Sequence, residues 1–316
     1  MSKIDYDDDD DDSDTSSFSS YNDQFEDEPR FKYQRIGGEL SNCLKRDKMS
    51  KLINTNKLLI LGTFSGRVYI FDHSGAQITS VHYHAKKIND MSLDSTQDML
   101  ATASEDGQII ICNIYTGEKV NHTYLKPMYS VALSATYKEE AIFSCGGLQK
   151  QLVVNTPFWF STKDTIIHGG EGPIYAISWC GPFIAWANDL GVKVYDYQKK
   201  ERVTFIGRNQ TIPASLYKCT LCWKNEKTLI IGWANSVKIG LVKQRPHPKT
   251  LQPQTYIQII AMFDTDFIIA GIAPYDEDNL ICLAYLLATD DDDDDDDDES
   301  GSSSNDDDDE QQQQEA

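Results

Sequence analysis

The side chains of this 316-residue chain best suited to chemistry are its cysteines and histidines, and their spacing decides what they can do. Cys219 and Cys222 form a single Cys-x-x-Cys pair, the arrangement of a dithiol redox centre or of half a zinc site. On a strand, residues three apart point to opposite faces. No second such pair or histidine pair follows at metal spacing, and no βαβ context surrounds it, so both thiols read as core residues. The six histidines, His73, His82, His84, His122, His168 and His247, are scattered. His82 and His84 alternate on what reads as one strand face, and with no carboxylate pattern beside them they read as a surface pair. His168 to Gly172 (HGGEG) holds no nucleophile and reads as a flexible connection before a strand. No Ser/His/Asp grouping, glycine-rich phosphate loop or His-Glu-x-x-His motif is legible. The expectation is a protein that is not an enzyme, with no catalytic residue, no cofactor-binding residue and no metal ligand.

The acidic residues tell a separate story. Runs of Asp at 7–12, 290–298 and 306–309 suit diffuse cation binding at most, because a calcium loop needs spaced ligands and a turn glycine. Ser20, Ser303 and Ser304 each have Asp three residues later, a spacing that suggests acid-directed phosphorylation. The net charge of -21 comes from the ends: residues 1–28 hold twelve acidic residues and one basic, and residues 290–316 hold sixteen acidic and none basic. The middle then has 28 basic and 22 acidic residues, a balance of +6. Segments so charged and so poor in apolar residues cannot bury enough surface to fold. The expected organisation is a disordered acidic tail at 1–28, one folded domain at 29–289, and a disordered Asp/Ser/Gln-rich tail or insertion at 290–316. Short basic clusters at Lys86 and Lys87, at Lys199, Lys200 and Arg202, and at Lys243 and Arg245 lack the continuous stripe with stacking aromatics that nucleic acid requires, and read as rim charges. With no run of about 18 apolar residues and no apolar N-terminal stretch, neither a membrane span nor a signal peptide is expected. The seven cysteines, an odd number, fit reduced thiols in the cytosol.

The elements that must position these residues repeat. Leu58 to Asp72 (LLILGTFSGRVYIFD), Met99 to Asn113 (MLATASEDGQIIICN), Phe183 to Asp196 (FIAWANDLGVKVYD) and Leu229 to Val242 (LIIGWANSVKIGLV) are each strand, tight turn, strand. Ala141 to Asn155 and Phe267 to Tyr285 are weaker copies. With Phe71, Cys112, Val154, Tyr195, Gly240 and Ala284 as equivalents, the spacings are 41, 42, 41, 45 and 44. A four-stranded propeller blade takes this length, and each blade buries its faces only against its neighbours. Ile88 to Leu93, Met128 to Leu133, Ile174 to Trp179 and Cys219 to Trp223 supply the strands between hairpins. The signature Trp-Asp dipeptide survives only as Phe71-Asp72, Tyr195-Asp196 and Cys112-Asn113. The fold class is therefore all-β, a WD40-like β-propeller with six visible blades. Phe31 to Ile36 reads as an N-terminal strand that completes the last blade. Either the ring has six blades, or a seventh lies beyond an acidic insertion at 290–316 in a chain cut short; the second is favoured, since an unpaired blade edge invites aggregation.

Several stretches closely resemble the N-terminal propeller of the vacuolar protein sorting-associated protein 41 family: Glu171 to Trp179 (EGPIYAISW), Phe183 to Asp196, Cys219 to Lys224 (CTLCWK), Thr228 to Lys238 (TLIIGWANSVK), Leu61 to Tyr69 and Ser104 to Gly107. The likeness runs in order from about Pro29 to Leu287. The resemblance implies a subunit of the HOPS tethering complex, which links late endosomes, autophagosomes or other carriers to the lysosome or vacuole before fusion. It implies as partners the other HOPS tethering subunits, a Rab7-type small GTPase and the AP-3 adaptor, with peripheral membrane association and no nucleic acid. In the family a helical solenoid that bears subunit contacts, often with a RING-like zinc domain, follows the propeller; neither is expected within these 316 residues. Which residues of these blades bind partners is left unassigned by the resemblance. The alternative reading is another WD40-type interaction scaffold, a coat or signalling adaptor.

Overall fold

The structure, a computed structural model, describes Lys32, residues 34–246 and residues 253–286. The tails at 1–28 and 290–316, with their Asp runs and Ser20, Ser303 and Ser304, lie outside the described residues, as does His247. Residues from Ile36 onward form the propeller unit.

Five antiparallel four-stranded sheets follow one another in the chain, each in simple sequential order. Blade 1 is β1 (Met49–Asn54), β2 (Leu58–Thr63), β3 (Arg67–Asp72) and β4 (Gln77–His82). Blade 2 is β5 (Ile88–Leu93), β6 (Met99–Ser104), β7 (Gln108–Asn113) and β8 (Lys119–Thr123). Blade 3 is β9 (Met128–Leu133), β10 (Phe143–Gly147), β11 (Gln151–Phe158) and β12 (Ser161–Gly169), with a short helix α2 (Tyr137–Glu140) between its first two strands. Blade 4 is β13 (Ala176–Cys180), β14 (Phe183–Asn188), β15 (Gly191–Asp196) and β16 (Glu201–Gly207), and blade 5 is β17 (Thr220–Asn225), β18 (Thr228–Trp233), β19 (Ser236–Pro246) and β20 (Pro253–Asp264). A sixth sheet has two strands, β21 (Ile268–Pro274) and β22 (Leu280–Tyr285). First strands touch first strands from blade to blade, β1 to β5, β5 to β9, β9 to β13, β13 to β17 and β17 to β21, so they line the axis. The four interstrand segments Ile88 to Leu93, Met128 to Leu133, Ile174 to Trp179 and Cys219 to Trp223 are all of this innermost class.

The cores lie between blades. Leu58, Ile60, Val68 and Ile70 of blade 1 meet Ile88, Met91, Leu100 and Cys112 of blade 2. The same arrangement repeats across blades 2 and 3, 3 and 4, 4 and 5, and 5 and 6. Second strands such as β2 and β14 are buried along their whole length, which explains why they read as continuous apolar runs and not as alternation. One position on the second strand of each of blades 1 to 5 is small: Gly62, Ala103, Gly146, Ala187 and Gly232. A methyl added at Gly62 would meet Ile88 at 3.0 Å, at Gly146 Ile174 at 2.7 Å and at Gly232 Ile269 at 3.0 Å. The small residue lets the next blade's inner strand approach.

Two expectations change. Lys32, Gln34, Arg35 and Ile36 lie in no strand. Instead the chain turns at Gly38 (φ +64°) into helix α1 (Gly38–Arg46), and Ile36, Leu40 and Cys43 pack on Leu59, Leu61 and Phe71, the face of blade 1 turned away from blade 2. Leu40 and Cys43, three apart, share one helix face, a pattern that a strand reading missed. The sixth hairpin, Phe267 to Tyr285, is also shifted in register. It comprises the first and second strands of its blade, so Ala284 is not the counterpart of Phe71.

Candidate functional site

A propeller presents an axial channel and two ends, and the axis is built first. Lys51, Asp90, Ser130, Ala176 and Thr220 occupy one equivalent position on successive inner strands, each opposite the small residue of the second strand. Asp90, nearly fully buried, accepts from Lys51 Nζ at 2.8 Å and from Ser130 Oγ at 2.5 Å, and Ser130 Oγ accepts from the backbone N–H of Ile177 at 2.8 Å. The chain of bonds thus crosses four blades. Burial raises the Asp90 carboxyl, but the ammonium groups of Lys51 and Lys218 outweigh it and hold the group below the usual carboxylate range. An aspartate so firmly ionised is a poor general acid or base near neutrality.

The connector from Gly207 to Thr220 reaches inward to the channel mouth. Its Lys218 donates to the carbonyl of Asn89, in blade 2, at 2.9 Å. Lys218 is exposed at this mouth, but the protein crowded around its ammonium, with Lys51 and Lys87 beside it, lowers it from the usual lysine range to about 8 despite Asp90. Ser50, Lys87, Glu105, Tyr129 and Tyr175 complete this mouth, and the Tyr175 hydroxyl donates to Asp189 at 2.8 Å. Off the axis, between blades 4 and 5, a 270 Å³ cavity is lined by Ile206, Arg208, Ile212, Trp233, Lys238 and Met262 among others. The Arg208 guanidinium lies 5.3 Å from the Trp233 ring centre, and Trp233 Nε1 donates to the Tyr217 carbonyl. Its arginine-capped apolar floor suits a peptide side chain.

The histidines bring a correction. His84 is buried, not on the surface: its Nδ1–H donates to Asp106 at 3.1 Å, and Nε2 lies 2.7 Å from Thr102 Oγ1. Asp106 also accepts from the backbone N–H of Ala85 and Gln108. The carboxylate comes from the turn of the next blade, 22 residues on, and is invisible in the local sequence. His168 is likewise buried, 3.1 Å from Glu171 and 3.3 Å from Asn188, against the Trp186 ring. These two histidines pin the ends of blades 1 and 3 to the blade that follows. Cys219 and Cys222 face different cores, Cys219 between blades 4 and 5 and Cys222 toward blade 6, and burial raises both thiols. All seven cysteines are free. Among the described residues, no group of three or more His, Cys, Asp or Glu is placed to hold a metal, and no helix is long and apolar enough to cross a membrane. The relics of the Trp-Asp dipeptide end third strands. The side-chain oxygens of Asp72, Asn113 and Asp196 accept backbone N–H groups of the turn that follows.

Comparison with known proteins fixes the lineage. The Vps41 propeller family model, described as "Vps42 beta-propeller", matches residues 31–306. The chain belongs to this family. It is 38% identical over 272 residues to the vacuolar protein sorting-associated protein 41 homolog of Arabidopsis thaliana, covering 83% of this chain and 28% of that one. For the Homo sapiens homolog the identity is 36% over 265 residues, covering 82% and 31%, and for the Schizosaccharomyces pombe protein 29% over 265 residues, covering 83% and 30%. The chain therefore spans about three tenths of the length of these relatives. Among solved structures it is similar to the Cps50 (Swd1) beta-propeller domain of Myceliophteria thermophila, with a TM-score of 0.56 at 12% identity over 70% of this chain and 78% of that one. The computationally designed Ika8 protein gives 0.54 at 14%, over 75% and 68%. These likenesses concern the fold alone.

Proposed function

We propose that this chain is the propeller of a non-catalytic, HOPS-type tethering subunit that docks late endosomes, autophagosomes or other vesicles at the lysosome or vacuole during vacuolar protein sorting. The observation that carries this reading is the family match across residues 31–306, with relatives named for vacuolar protein sorting along the same stretch. Chemistry agrees in kind, since Asp90, the buried carboxylate described at the axis, is committed to Lys51 and Ser130. A rigid disc with binding loops at both ends suits bridging. The partners that follow are the other HOPS subunits, a Rab7-type small GTPase in its active state and the AP-3 adaptor, with the protein peripheral on late endosome, lysosome or vacuole membranes. The interblade cavity beside Arg208 and Trp233 is the docking position we assign to a partner side chain.

The test is affinity capture from cell extract loaded with a non-hydrolysable GTP analogue. Recovery of tethering subunits and a late-endosomal GTPase, reduced by Trp233→Ala with Arg208→Glu, is the expected result. Recovery of coat or signalling assemblies alone would overturn the tethering reading in favour of another WD40-type scaffold.

A further inference from the structure

In an antiparallel propeller, the turns between first and second strands and between third and fourth strands all lie at one end. At that end two hairpins outgrow the others. The third and fourth strands of blade 4 finish pairing at Asp196 and Glu201. In blade 3 the matching pair is Thr156 and Lys163, and pairing continues through Pro157 with Thr162 and Phe158 with Ser161. Two further pairs carry the tip about 7 Å beyond the blade. The tip is Phe158, Trp159 and Phe160, exposed by 50%, 88% and 103%. Three consecutive aromatics facing water at the end of a stalk have no role in any interblade core.

The hairpin has features that a lipid interface requires. Its backbone groups pair within the hairpin up to the two-residue turn, so entry into a less polar medium leaves few amides without partners. From Thr156 to Lys163 there is no acidic residue, and Lys163 lies 6.0 Å from the Phe158 ring, a cation at headgroup depth behind the rings. Trp has the amphipathic ring favoured at the membrane surface, and the two Phe rings add apolar area of the kind that is buried at the headgroup and acyl boundary. The blade 5 hairpin extends five pairs past the same level, from Val242 with Ile257 to Pro246 with Pro253. Its described extension has Lys243 and Arg245 and no acid, complementary to an anionic bilayer.

We propose that the β11–β12 tip inserts Trp159 and Phe160 into the headgroup region of an anionic bilayer, with the blade 5 hairpin as a second, electrostatic contact. The proposal rests on the tethering reading only for which membrane is met. The test uses the purified chain with phosphatidylcholine vesicles, with and without phosphatidylserine. Expected are vesicle co-flotation, quenching of Trp159 by lipids brominated near the headgroup, and a loss of partitioning of about tenfold or more in Trp159→Ser with Phe160→Ser. Lys243→Glu with Arg245→Glu removes the salt-sensitive part. Unchanged circular dichroism and melting of these surface variants show that the fold is retained. Equal flotation of wild type and the aromatic variant, or no quenching in the wild type, overturns the insertion. Loss of a captured protein in the aromatic variant without any vesicle binding by the wild type also overturns it, assigning the tip to a protein groove. Failure of vesicle binding with HOPS capture intact leaves the tethering reading standing.

Discussion

His84 holds a junction that no local pattern announces. Its ring joins the end of blade 1 to Asp106 and Thr102 of blade 2, so His84→Ala leaves a buried carboxylate and hydroxyl without their shared partner. We expect a loss of about 1–3 kcal/mol in chemical denaturation, and an unchanged midpoint would refute the structural role. Asp90 carries more. Its removal strands Lys51 and Ser130 at the axis, and Asp90→Ala is expected to cost about 3–5 kcal/mol, with Asp90→Asn costing less. Protonation gives a third test. His84, His122 and His168 are each held below the ordinary histidine range, in each case chiefly by burial. A group with a folded value below its unfolded one takes up protons on unfolding. Its contribution to stability is therefore complete above the unfolded value of about 6.5 and declines as the pH falls through it toward the folded values. Melting temperatures measured from about pH 7.5 down to about pH 5 should fall steadily; a flat profile would contradict neutral buried histidines.

At the scale of elements, the second strand of each of blades 1 to 5 has one small residue where the next blade's first strand arrives. Gly146→Val places two methyl groups against Ile174, already within 2.7 Å of a single added carbon. Because that carbon clashes with a packed side chain on a neighbouring sheet, the cost should reach or exceed about 1–3 kcal/mol, readable as a lowered denaturant midpoint, whereas Gly117→Ala, which meets nothing within 4 Å but sits at φ +75°, should lose only the smaller backbone term. Helix α1 belongs to this scale too. It occupies the face of blade 1 opposite blade 2, the position a neighbouring sheet would cover.

For the molecule as a whole, stability is graded from the second strands outward. β2, β6, β10, β14 and β18 are buried along nearly their whole lengths, whereas Ile281, Leu283 and Tyr285 of β22 are exposed. Amide exchange should therefore be slowest on the five buried strands and fastest on β22; uniform protection across blades would contradict this ordering. The bonds from Lys51 through Asp90 and Ser130 to Ile177 join blades 1 to 4, so these four should lose protection together in Asp90→Ala.

The blade period, the hairpins and the family likeness were legible in the residues because each depends on short-range pattern: runs of buried β-branched residues, turn glycines, and a repeat of about 40 to 45 residues, the length of a WD40-type blade. The small residues Gly62, Ala103, Gly146, Ala187 and Gly232 recur at 41, 43, 41 and 45 and were equally open to reading. What lay beyond the sequence joins residues from different blades. Asp106 reaches His84 across 22 positions, Asp90 reaches Ser130 across 40, and Lys218 reaches Asn89 across 129. Asp90 and Ser130 hold equivalent positions one blade apart, but the residue types there do not repeat, and which of them meet is set by how the sheets pack around the axis. The same reason separates Ile36 from a strand. Extended preference of a few residues is weak, and the apolar face of blade 1 offered Leu40 and Cys43 a site that only a helix could present to it.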